Sequence, residues 1–137
     1  MKTMFLLTAI LLLALAEGST TPATDSSAEG DPVTVHVTYR VCSGKEAEFK
    51  AMVSRNWEVY RKDKLVLAEP HILLQDIDED SKPRFVEIFT WASRSIAEHP
   101  TTNVWGVWIE THTLCEYRNG HNAIQADKVK LLVPTAK

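Results

Sequence analysis

The stretch FVEIFTWASRSIAEHP, residues 85–100, carries three side chains able to do chemistry. Glu87 and Trp91 lie on an alternating run, so a strand places both on one face with Phe85 and Phe89. A carboxylate enclosed by aromatic rings can take or hold a proton. The same position also suits a salt bridge, or a place beyond the reach of any covering helix. His99 comes later, at a helix end before Pro100. An imidazole there can act as a general base or donate to a substrate oxygen, or it can be satisfied locally by the helix terminus. Glu87 and His99 are the candidate catalytic residues.

Five further side chains are candidates for holding a substrate. Tyr39 shares a strand face with four valines, and Asn56 falls on the apolar face of a helical stretch. Asn56 can bind a polar ligand atom or bond a backbone group. Trp91, Trp105 and Trp108 supply aromatic wall, although the last two are first of all packing residues. Metal chemistry is poorly supported. The histidines show no H-x-x-x-H spacing and the cysteines no C-x-x-C. There is no glycine-rich phosphate loop and no G-x-S-x-G elbow. The expectation is therefore chemistry without metal or cofactor.

These residues need a scaffold, and the pattern supplies one. VTVHVTYRV, 33–41, alternates as a strand, with His36 on the face opposite Tyr39. Residues 46–62 place Phe49, Met52, Val53, Asn56 and Tyr60 at helical spacing, with Ser43 and Glu46 in capping-box register. Residues 65–77 read as a strand that Pro70 confines to an edge or a bulge. The turn DEDSKP leads to a third strand, 84–92. A second capping box, Ser95 to Glu98, opens a helix that Pro100 interrupts, and helical spacing resumes over 101–116. A turn at Asn119-Gly120 precedes a last strand, 123–134. The order β-α-β-β-α-β predicts an α+β, ferredoxin-like fold with a four-stranded antiparallel sheet.

The ends and the composition set limits. The chain has 137 residues, a net charge of −3, 45% apolar and 24% charged residues, which fits one globular domain. A mildly acidic chain without a basic run is not a nucleic-acid binder. Residues 1–16 carry Lys2, an apolar run and Ala14-Leu15-Ala16, the signature of a cleaved signal peptide. An uncleaved anchor is the alternative. Residues 17–31 read as a flexible leader, and residues 32–137 as the domain. Export predicts a periplasmic or secreted protein with no stable membrane association once the signal is removed.

FVEIFTWASRSIAEH resembles the junction between third strand and second helix in the antibiotic biosynthesis monooxygenase (ABM) family. There a strand ends in an aromatic residue, a serine opens the helix, and a histidine follows. Trp91, Ser93 or Ser95, and His99 fit those places. The resemblance implies a dimeric α+β barrel, a homodimer with two sheets face to face. It also implies a ligand pocket between sheet and helices, and oxidation of a phenolic or quinol compound without a cofactor. The haem-degrading branch carries Asn on the first strand, where this chain has Thr38 and Tyr39, so that activity is not implied. Apolar residues on both faces of the second strand and the last also ask for a partner sheet.

The only cysteines, Cys42 and Cys115, fall at the same end of this topology. In an oxidising compartment they are expected to pair as a disulfide, the alternative being two buried thiols. Two functions stay open: a small exported oxygenase of an aromatic molecule, or a non-catalytic ligand-binding or structural dimer of the same fold.

Overall fold

The computed structural model describes residues 30–132. The expected signal peptide and most of the expected leader lie outside them. The elements are β1 (Val33–Arg40), α1 (Glu46–Lys62), β2 (Val66–Ile77), β3 (Pro83–Trp91), α2 (Arg94–Glu98), α3 (Thr102–Thr113) and β4 (Ile124–Lys128). One antiparallel sheet runs in the order β2-β3-β1-β4. This is the ferredoxin-like α+β plan, its second helix split in two.

The core forms where alternation on the sheet meets helical periodicity. Val33, Val35 and Val37 of β1 and Phe85, Phe89 and Trp91 of β3 are buried on one face. Phe49, Met52, Val53 and Tyr60 of α1, with Val104 of α3, cover them. Phe49 is fully buried between Tyr39 and Phe85, its ring centroid 4.9 Å from one and 4.7 Å from the other. Glu46 and Glu48 open α1, and Arg61 and Lys62 close it, so charge complements the helix dipole at both ends.

Several boundaries differ from the sequence reading for identifiable reasons. Ser43 does not cap α1. A tight turn at Ser43-Gly44, with Gly44 at φ 85°, makes Lys45 the cap residue without a side-chain bond. Ser93 rather than Ser95 caps α2, its Oγ accepting from the Ile96 amide at 3.3 Å. The Ala92 amide still pairs with Leu65 O at 2.8 Å, so Ser93 is the first residue free to turn. The last strand ends at Lys128 rather than 134. It pairs with β1, and β1 begins at Val33, so the ladder runs out of partner after the Val129 amide bonds Thr34 O at 3.0 Å. Pro70 does sit on an edge strand, beside a register shift between Val66 and His71.

A buried ion pair ties the two ends of the sheet together. Asn119 and Gly120, at φ 51° and 77°, form the tight turn that brings Arg118 opposite His121. The Arg118 guanidinium then reaches Asp78 at 3.1 Å and donates to Pro83 O at 2.7 Å. Burial alone would raise the Asp78 pKa. The backbone amides of Lys82 and Asp80, together with Arg118, outweigh it and hold the carboxyl below its ordinary range. A depressed folded-state value means this contribution is complete above about pH 4 and is lost as pH falls through the lowered value. Urea midpoints should therefore drop steeply in acid. Asp78→Asn should already be lower at pH 7 and show a flatter acid limb.

Candidate functional site

Among the described residues, two cavities lie between the inner face of the sheet and the helices. The larger, about 360 Å³, falls in the range of small-molecule sites. The sheet supplies Val35, Val37, Phe89 and Trp91, and α3 supplies Val104, Trp105 and Trp108. Ile96, Ala97 and Pro100 close one side, and Lys128 and Glu98 stand among its lining residues, paired at 2.9 Å between β4 and α2. Trp105 is 56% exposed and so belongs to the outer part of the wall. An apolar cavity with aromatic sides selects flat, hydrophobic ligands.

The smaller cavity, about 20 Å³, has room for one water-sized group. Tyr39, Asn56, Tyr60, Glu87 and Thr111 give it polar atoms, and Trp57 and Val107 form part of its wall. Glu87 is 5% exposed, and both its oxygens are engaged. The Tyr39 hydroxyl donates to Oε2 at 2.7 Å, and His71 Nε2 lies 2.9 Å from Oε1. Trp57 stacks on the His71 ring, centroids 3.6 Å apart and planes 10° from parallel. Burial, reinforced by the Glu87 carboxylate, pushes the Tyr39 and Tyr60 phenols up, so both remain neutral hydrogen-bond donors.

The structure thus sorts the sequence candidates into two groups. Trp91, Trp105 and Trp108 line the larger cavity, while Tyr39, Asn56 and Glu87 line the smaller. The two share no lining residue; Phe89 of the first touches Trp57 of the second, centroids 6.0 Å apart. His99 lines neither. It is the exposed C-cap of α2, where the chain turns into Pro100. The histidine beside Glu87 is His71, which the sequence reading missed together with Trp57. Inward parity on β2 would have found His71, but the register shift beside it breaks the alternation that parity requires.

The two cysteines of the expected Cys42–Cys115 bridge are free thiols in the structure, Cys42 half-buried and Cys115 buried. They are neighbours, as the topology implied, but it is Val41 that stands opposite Cys115. Burial pushes the Cys115 thiol up to about 12, and burial with the Glu116 carboxylate raises Cys42. Neither is a reactive thiolate.

The fold and its pocket define a small α+β sheet protein with an aromatic-walled cavity under its helices. Solved structures share this architecture. SnoaB, a cofactor-independent oxygenase from Streptomyces nogalater, superposes with a TM-score of 0.57 at 16% identity, covering 78% of this chain and 99% of that one. A candidate antibiotic biosynthesis monooxygenase from Bacteroides thetaiotaomicron gives 0.53 at 12% identity, covering 78% and 95%. Another, from Nitrosomonas europaea, gives 0.50 at 16% identity, covering 79% and 97%. This chain has the fold of the ABM-type structures. No family model matches the sequence, and no curated protein matches it either.

Proposed function

We propose that this chain is a small exported oxygenase that binds a flat phenolic or quinol molecule and oxidises it with dioxygen, without a cofactor. One observation carries the reading: the aromatic-walled cavity of about 360 Å³ under the helices, in a fold similar to that of a cofactor-independent oxygenase. An electron-rich phenolate can itself reduce dioxygen. The protein then needs to supply a dry, shaped pocket and a route for the proton. Oxygen uptake with a panel of naphthalene- and anthracene-type phenols tests the activity, and quenching of tryptophan fluorescence tests binding. Uptake with none of them overturns the oxygenase.

One observation favours the alternative of a binding protein without catalysis. Glu87, the buried carboxylate, is separated from the larger cavity by packed side chains. Quenching without oxygen uptake would decide for that alternative. Export rests on residues 1–16 and predicts a mature N-terminus at Glu17, readable by N-terminal sequencing of the native protein.

A homodimer through the outer sheet face belongs to the same proposal. Ile72 pairs with Ile88 and Leu74 with Val86, which builds an apolar patch away from the helices. Ile72 and Leu74 are 41% and 54% exposed, as expected of a surface waiting for a partner sheet. Light scattering at micromolar concentration should give twice the mature chain mass. Ile88→Asp should give one chain mass, because it sets two carboxylates into a symmetric apolar contact.

A further inference from the structure

We propose that Tyr39, Glu87 and His71 form a proton path from the small polar cavity beneath α1 to the solvent at the β2 edge. Glu87 is the buried relay and His71 the exchanging end. What the path serves rests on the function proposed above; whether it conducts does not.

A carboxylate at the centre of a strand, among Phe85, Phe89 and Trp91, is costly to keep unless it is bonded. Here it is bonded on both sides, at 2.7 Å to Tyr39 and 2.9 Å to His71, so the chain of groups has no gap. Its inner end is a cavity of about 20 Å³ that holds one water-sized group against Tyr39, Asn56 and Glu87. Its outer end, His71, lies on the edge strand with a side chain 22% exposed. Trp57, flat against the imidazole, fixes the ring plane and leaves Nε2 aimed at the carboxylate. Packing alone would be met by an apolar residue at position 87. This arrangement joins a small cavity with polar walls to water through groups that all exchange protons.

The transfer balances without an outside reagent. A proton from a donor in the cavity bonds to Tyr39 Oη as the phenol's own proton moves to Glu87 Oε2. At rest Nε2–H of His71 donates to the carboxylate, and exchange of the ring with water to its Nδ1–H tautomer frees Nε2. The neutral carboxyl group then turns about its Cγ–Cδ bond and hands its proton to Nε2, and release of the Nδ1 proton to water restores the resting tautomer. No electrons change hands. Val37, opposite Glu87 in the β1–β3 register, and Phe89, the next inward residue of β3, both line the larger cavity. The path therefore begins directly behind the wall of the pocket in which a phenol would lose its proton.

The test needs no ligand. Water-exchange NMR follows the Tyr39 hydroxyl proton in the full-length protein and in His71→Phe, whose ring can still stack on Trp57. A conducting path predicts exchange at least 10-fold slower in the variant, because the route to solvent is cut. A network that only packs predicts faster or unchanged exchange, since the variant removes a partner of Glu87, and either result overturns the proposal. His71→Gln keeps a donor to Glu87 but cannot relay, so it must slow exchange as well, and it decides the matter if the phenylalanine variant does not fold. If exchange slows while the phenol panel neither binds nor reacts, the path stands and the oxygenase falls.

Discussion

With the proton of a bound phenol leaving through the path proposed above, Glu87→Gln should lower turnover of a phenolic substrate by roughly 10²-fold or more, the scale on which a general acid or base contributes. The amide has nearly the shape of the carboxylate and still accepts from Tyr39, but it can neither gain nor pass a proton. His71→Phe should fall to a similar level. His99→Ala should keep the parent rate, because His99 is exposed and lines neither cavity. Initial rates at an oxygen electrode, beside urea midpoints for each variant, separate lost chemistry from lost folding. Parent-like rates in Glu87→Gln would remove this carboxylate from the reaction.

Phe49→Ala should cost about 3–5 kcal/mol of stability, the usual range for deleting a buried aromatic ring. Phe49 is fully buried and bridges Tyr39 on β1 to Phe85 on β3, so its loss opens a void that no neighbour can fill without moving the sheet. Small domains hold only about 5–15 kcal/mol in total, so the variant should sit near its unfolding threshold at room temperature. Urea denaturation followed by tryptophan fluorescence measures the shift. A loss below about 1 kcal/mol would mean that α1 can settle onto the sheet without this ring.

What could be read from residues alone follows from which physical signal each feature leaves. Alternation in 33–41 and 84–92 is strong because one face is buried, and it places Tyr39, Glu87 and Trp91 on the inner side. The stripe Phe49, Met52, Val53, Asn56, Tyr60 matches the buried face of α1 residue for residue. Parity, however, names a face and not the helix that covers it. Tyr39 and Trp91 share the inner face, yet α1 and α3 meet over one while α2 and α3 enclose the other, and one expected pocket became two. His99 looked near Glu87 because it is near in sequence. His71 is near in space because β2 folds back beside β3, across a bulge that hides its parity. The topology also placed the two cysteines together, and the structure describes them as neighbouring free thiols, with Val41 rather than Cys42 opposite Cys115.

The ion pair between Lys128 and Glu98 has a consequence for traffic. Both partners are solvent-exposed, so their attraction is weak and is screened by salt, whereas the apolar walls behind them hold a ligand more firmly as salt rises. Ionic strength therefore acts twice on the same cavity and through different physics. It weakens the ion pair at the cavity's margin and strengthens apolar contact with the walls behind it. Under the export proposed above, the surrounding medium sets that balance as much as the fold does.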